Sequence, residues 1–308
     1  MAEYQEKPNI ASIKGVGEED ELDYVLARND SIKESSKHQY RIIYKRWVKV
    51  TNRQIKDCSE ESVINILEKI DVAHNTKNTM ISAIIMVRKF YHLPNENIRK
   101  WRDTVLKKLM EQSHVAADKV TAELLPTYNQ LNNHVKKLYK EKQYLDYIIN
   151  FILTRYCVRN MDLNCFVTQD KTMMQRAGSD DKINMFYIAP TYVVYIRRDY
   201  KTYDTYGELK ISIRSIPFRQ ALLNFLDDKP DGWLFGVGDK IMTQPSISKY
   251  IMDHSYGGLG EGRIAKAVLT YYAQKGDMNS IRRISKSRGT AIDTLIDSYM
   301  PHLSLGKK

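Results

Sequence analysis

MFYIAPTYVVYIRRDYKTYDTYGELKISIRSI, residues 185–216, decides the fold of this 308-residue chain. It is dense in Tyr, Val and Ile, side chains that suit a pleated, half-buried surface. With a Tyr-Gly turn at 206–207 it predicts strands, including a hairpin over about 192–214. The hydrophobic period changes near residue 165, and helical spacing lies on both sides of the strand segment. The fold class this implies is mainly α with a small antiparallel β-sheet, α+β.

Working outward, QLNNHVKKLYKEKQYLDYIINFILTRYCVRN (130–160) reads as two helices ending in the apolar run Ile148–Leu153. Downstream, helices are predicted in IPFRQALLNFLDD (216–228), PSISKYIMDHS (245–255), GRIAKAVLTYYAQK (262–275) and TAIDTLIDSY (290–299). Upstream, SSKHQYRIIYKRWVKV (35–50) puts Tyr40, Ile43, Tyr44, Trp47 and Val48 on one helical face, with Lys37, Arg41, Lys45, Arg46 and Lys49 around them. SEESVINILEKI (59–70) begins with a partial Ser59 cap. A third helix over 75–93 stops at Pro94, and a fourth runs over 95–113.

Length makes two domains the starting expectation. The predicted division is a flexible tail at 1–22, a helical domain at 23–113, a linker at 114–128 and a second domain at 129–308.

Hydrophobic content of 43% is ordinary for a globular protein, and no window approaches the roughly 18 apolar residues of a membrane span. The protein is therefore expected to be soluble, with no membrane partner. The N-terminus lacks the basic and apolar regions of a secretory signal. Cys58, Cys157 and Cys165, with seven scattered histidines, form no metal-ligand spacing and read as reduced thiols of an intracellular protein. No metal or other cofactor is predicted. A net charge of +11 raises the expectation of a polyanionic partner, nucleic acid above all. The excess of Lys, Asn and Tyr resembles that of mobile elements and large DNA viruses.

Four separated features carry candidate chemistry. RYCVRNMDL (155–163) holds Arg159, with Asp162 three residues on. Lys201 lies in the hairpin segment. In GLGEGRIAKAVLTYY (258–272) Arg263 sits just inside a helix preceded by glycines, where backbone N–H groups and the helix dipole favour an anion. TLIDSYMPH (294–302) holds Tyr299. Taken singly, each reads more readily as a surface cation, a loop or a packed tyrosine.

Taken together, this order and spacing resembles the catalytic domain of tyrosine recombinases of the phage-integrase type. RYCVRNMDL is similar to the family's first arginine box, IRRDYKTYDTYGELKISI to its lysine hairpin, and GEGR to its His-x-x-Arg box. RGTAIDTLIDSY (288–299) resembles the segment leading to the nucleophile, with Gly289, Thr294 and Tyr299 in register. Two departures stand out. Gly260 occupies the position of the first family histidine, and Thr290 that of the second His or Trp, so both imidazole positions are empty.

The resemblance implies a site-specific recombinase that cuts duplex DNA through a 3'-phosphotyrosyl link on Tyr299. Arg159 and Arg263 would clamp the non-bridging oxygens, Lys201 would protonate the leaving 5'-oxygen, and Asp162 would support the first arginine. It also implies a helical core-binding domain at 23–113, the two domains clasping opposite faces of the duplex, and assembly as a homotetramer. Phosphate contacts are expected from Lys37, Arg41, Lys45 and Arg88, making binding salt-dependent. Family members exchange a C-terminal segment between neighbours. Only MPHLSLGKK follows Tyr299, so that exchange would be short or use another surface. Loss of one proton-handling group reduces such a rate by something like 10²–10⁴. A DNA-binding relative without activity is therefore the alternative, and a type IB topoisomerase a further one. A water, His254 or another side chain would have to substitute for the missing imidazoles.

Overall fold

The computed structural model describes residues 18–30, 32, 34–110, 112, 124–176, 182–227, 229, 231–237 and 240–299. Contacts divide the chain into two compact units, Met1–Ala116 and Ala117–Lys308.

The first unit is helical: α1 (Glu18–Ala27), α2 (Glu34–Thr51), α3 (Glu60–Lys69), α4 (His74–Phe90) and α5 (Glu96–Trp101), the last running into a π-helical turn over Arg102–Leu106. Each amphipathic stripe turns inward. Ile43, Tyr44 and Trp47 of α2, Val63 and Leu67 of α3, and Met80, Ile81 and Ile84 of α4 form one core. Ser59 caps α3 by accepting from Ser62 N at 3.1 Å. Glu60 reaches across to the first turn of α5, accepting from Asn97 N at 2.8 Å and Ile98 N at 3.3 Å. That carboxylate lies where orphan amides and the helix dipole both favour a negative charge.

The segment read as a tail, 1–22, overlaps α1, whose Leu22, Val25 and Leu26 are buried at i, i+3 and i+4 spacing, while residues 1–17 lie outside the described residues. Arg88, expected at a phosphate, lies inside this unit. It is 2% exposed, its Nη1 donating to Cys58 O at 2.5 Å and its Nε to Pro94 O at 2.8 Å, so it ties the end of α4 to two loops. Lys37 is likewise buried and pairs with Glu34 at 2.8 Å. Arg41 is half-buried and bonded to Asp23 at 2.5 Å, which leaves Lys45 as the exposed member of the four.

The second unit opens with α6 (Tyr128–Lys140) and α7 (Tyr144–Tyr156), and most of the predicted 114–128 linker lies outside the described residues. Thr127 and Gln130 form a reciprocal capping box at the start of α6. A five-stranded sheet follows, in the order β4-β3-β2-β1-β5. Its strands are β1 (Cys165–Thr168), β2 (Asn184–Ile188), β3 (Val193–Arg197), β4 (Leu209–Ile213) and β5 (Asp231–Trp233). The expected hairpin is the β3–β4 pair, in register from Val193↔Ile213 to Arg197↔Leu209.

The sheet is mixed, however, not wholly antiparallel, because β1 and β2 run parallel. Residues 169–183, including the short helix α8 (Lys171–Arg176), make the crossover that parallel neighbours require. α9 (Tyr203–Tyr206) interrupts the β3–β4 connection, and β6 (Gly236–Val237) pairs with β7 (Lys240–Ile241). The remaining helices are α10 (Ile216–Leu226), α11 (Gln244–His254), α12 (Glu261–Gln274), α13 (Met278–Arg288) and α14 (Ile292–Tyr299). The core joins Ile148, Ile149, Ile152 and Leu153 of α7 to Phe186 and Tyr195 of the sheet, to Phe218 of α10, and to Val268 and Leu269 of α12.

Among the described residues no helix is long and apolar enough to cross a membrane. The three cysteines are buried and unpaired.

Because Arg88 satisfies two carbonyls from inside the fold, Arg88→Met should lower the unfolding free energy by about 2 kcal/mol or more. Chemical denaturation measures this. A variant as stable as the parent would return Arg88 to the surface.

Candidate active site

α7 ends at Cys157, which takes the left-handed conformation at φ 52°, and the chain turns through Val158 and Arg159 into a 3-10 turn over Asn160–Leu163. That reversal brings Arg159 against residues far along the sequence. Its Nη1 donates to Arg288 O at 3.1 Å and its Nη2 to Thr290 Oγ1 at 3.0 Å. Asp162 holds the same turn from below, its Oδ2 accepting from Arg159 N at 3.2 Å and from Arg197 Nη1 at 2.6 Å. Arg197 and Asp162 are both essentially fully buried. Arg197 also lies over the rings of Tyr195 and Tyr200, 5.6 and 5.0 Å from their centroids. Burial pushes the Asp162 carboxyl up, and the Arg197 guanidinium opposes that shift.

Arg288, the last residue of α13, is 2% exposed. Its Nη1 donates to Cys157 O and, at 3.3 Å, to Val158 O, and its Nη2 to Glu261 Oε1 at 3.1 Å. Glu261 Oε2 in turn accepts from Asn160 N. One ion pair, with its guanidinium buried and its carboxylate partly exposed, thus fastens the end of α7, the start of α12 and the end of α13 together. Burial raises the Glu261 carboxyl above its ordinary value, with the Arg288 charge working the other way.

The hairpin connection joins through Thr202, whose Oγ1 donates to Gly289 O at 2.5 Å. Gly289 is required there twice over. Its φ is +58°, and a Cβ would fall 2.8 Å from Tyr200 Cε2 and 2.9 Å from Thr202 Oγ1.

Arg159, Asp162 and Thr290 are therefore linked by direct or shared hydrogen bonds. Lys201 is exposed between Tyr200 and Thr202. Gly260 is the N-cap of α12, with nothing within 4 Å of where its Cβ would stand. Arg263 follows in the first turn of that helix, exposed and, among the described residues, without a hydrogen-bond partner. Tyr299 closes α14, which packs on α12 and α13. It lies roughly 10 Å along the helix axis from the Thr290 end, and its side chain is outside the described part of the structure.

His254 does not stand in for the missing imidazoles. It stacks on Tyr250 and bonds Asp146 at 3.1 Å, near the opposite end of α7 from Arg159. Among the described residues no group of three His, Cys, Asp or Glu side chains is placed to hold a metal.

Sequence reading missed Glu261, Arg288, Arg197 and Thr202. A signal existed for two of them. Glu261 in a first helical turn and Arg288 in a last one are each placed to complement a helix dipole, though nothing along the chain pairs them.

No family model matches this chain, and no curated protein matches it. A solved structure of XerA recombinase is similar over 94% of this chain and 96% of that one, at 13% identity and a TM-score of 0.36. Likeness at that level carries no argument, and the functional reading rests on the site.

Gly289→Ala should destabilise the second unit by about 1–3 kcal/mol and speed proteolysis within 200–208, since either the turn or the docked connection must give. Unchanged stability and cleavage would contradict the packing described. Glu261 has a second consequence. Its folded pKa is raised above its ordinary 4.5, so its favourable contribution is full below that pH and is lost as pH rises through the folded value. Denaturation from pH 4 to 7 should show a shallower loss of stability in Glu261→Gln than in the parent. Parallel curves would refute the shift.

Proposed function

We propose that this chain is a DNA strand-transfer enzyme of the tyrosine-recombinase type, with Tyr299 as nucleophile. The observation that supports this reading is the convergence around Arg159. Segments 157–163, 200–203, 260–263 and 288–290, which the motif resemblance picked out separately, are joined by the bonds from Arg159 to Thr290, Thr202 to Gly289, and Glu261 to Asn160 and Arg288.

The proposed chemistry uses each group at a stated atom. The Arg159 guanidinium holds a neutral hydroxyl and a carbonyl. A phosphate oxygen is a stronger acceptor than either, so an arriving phosphodiester would displace Thr290 Oγ1 from the fork. Arg263, exposed in the first turn of α12, would supply the second guanidinium, with the amide end of that helix behind it. The Tyr299 hydroxyl gives its proton to solvent as its oxygen attacks phosphorus, the bond to the 5'-oxygen breaks, and Lys201 Nζ donates the proton the leaving 5'-oxygen needs. Return of that hydroxyl reverses the step and rejoins the strand. Asp162 and Glu261 would position the turn that carries Arg159 and contact no substrate. Lys45 and the neighbouring exposed cations of α2 would bind phosphates, and a tetramer on DNA is the arrangement proposed for exchange between two duplexes.

One observation favours a second reading, a DNA-binding protein without cleavage. Gly260 and Thr290 put no imidazole at either family position, where one would manage the phenol proton or orient the phosphate.

Incubation with nicked duplexes bearing candidate sites, followed by denaturing electrophoresis, separates the two. The proposal predicts a covalent complex that Tyr299→Phe abolishes and that Arg159→Ala or Arg263→Ala reduces by about 10²–10³. It also predicts that Gly260→His, entering open space, raises the rate. Binding to every duplex with no covalent product from either the parent or Gly260→His would establish the second reading.

A further inference from the structure

Two cavities open side by side on the second unit, sharing Phe151 and Arg155. The first, about 240 Å³, has a largely aromatic wall of Tyr139, Tyr147 and Phe151, with Lys136 and Lys140 beside it. The second, about 320 Å³, is lined by Arg155, Arg214 and Arg283, with Tyr156 and Ser215. Together they fall within the roughly 300–1,000 Å³ of small-molecule sites.

The charge of these cavities is one-sided. Five cations line them and, among the described residues, no carboxylate does. The three arginines come from separate elements: the last turn of α7, the turn between β4 and α10, and the middle of α13. Arg155 donates to Tyr128 Oη at 3.3 Å, a neutral partner. Arg214 and Arg283 form no ion pair among the described residues. Asp277, within electrostatic range of Arg283, caps α13 through Ser280 N and Oγ at 3.0 and 2.7 Å and lines neither cavity. Folding that gathers like charges from three elements with no carboxylate between them works against its own stability unless an anion completes the site. The aromatic compartment adds a second requirement, because a bare anion would leave it empty. A planar ring beside a phosphate meets both, the ring against Phe151 and Tyr139 and the phosphate between the guanidiniums.

We infer that the paired cavities bind a nucleotide, its base in the aromatic compartment and its phosphate among Arg155, Arg214 and Arg283. The site is separate from the Arg159 cluster and does not depend on strand transfer. A free nucleotide and one unit of a single strand share this chemistry.

Calorimetric titration of the full chain with dAMP, deoxyadenosine, inorganic phosphate and a short single-stranded oligonucleotide tests the inference and distinguishes the two sources. dAMP should bind at least about tenfold more tightly than deoxyadenosine or phosphate, and Arg214→Ala or Arg283→Ala should each weaken it about tenfold or more. Both arginines are exposed, so neither change threatens the fold, and Tyr299→Phe should leave binding unaltered. Binding of the oligonucleotide alone, with the same arginine dependence, would support the site and assign it to a strand segment. Failure of every probe to bind, phosphate binding as tightly as dAMP, or binding insensitive to both arginine substitutions would each overturn it.

Discussion

The second unit depends on one buried guanidinium. Arg288 has left water to satisfy the carbonyls of Cys157 and Val158 at the end of α7 and the carboxylate of Glu261 at the start of α12, while its own carbonyl receives Arg159. Placing an ion pair there costs desolvation that Coulomb attraction alone rarely repays. The additional hydrogen bonds offset that cost, and they also fix geometry. With Arg288 in place, the turn carrying Arg159, the glycine-led start of α12 and the Gly289 turn have little freedom relative to one another. Removing Glu261 would leave the Arg288 charge buried and without its carboxylate, which is why the arrangement is specific.

That constraint bears directly on the proposed chemistry, whose motifs are incomplete. A planar fork such as Arg159 is useful to a phosphate only if it is held in orientation before the phosphate arrives. Here Thr290 and the Arg288 carbonyl hold it from one side, while Asp162, backed by Arg197, holds its backbone from the other. Of the groups proposed to act on substrate, Lys201 and Arg263 are exposed and Arg159 is half-buried, while the guanidiniums behind them, Arg197 and Arg288, are buried. Gly289 links the two sets, since its bare Cα lets Thr202 dock and so places the connection that carries Lys201.

Much of this was legible along the chain. The hairpin and most helix positions follow from periodicity, because each of those elements turns a clear apolar stripe to its core. α1 and α13 escaped notice for the same physical reason. The tail around α1 is dominated by acidic residues, and α13 buries Ser287 and Arg288 beside only Ile281 and Ile284, so its stripe is narrow and partly polar. Parallel pairing of β1 with β2 was hidden because a short strand carries no mark of its partner's direction. The burial of Arg88 and Lys37 was not legible, since a cation inside a helical stripe looks the same in sequence as one outside it. Only the carbonyls of Cys58 and Pro94, and Glu34, show where these two belong. The Arg288–Glu261 pair joins residues 27 positions apart, and no local pattern announces such a contact.

The central claim is that these segments assemble one strand-transfer site with Tyr299 as its nucleophile. The most direct measurement is peptide mass spectrometry of the protein after reaction with a nicked duplex and nuclease trimming. The account predicts a nucleotide remnant on the peptide containing Tyr299, attached through that phenol. An adduct on any other residue, or none from a preparation that demonstrably binds the duplex, would contradict it.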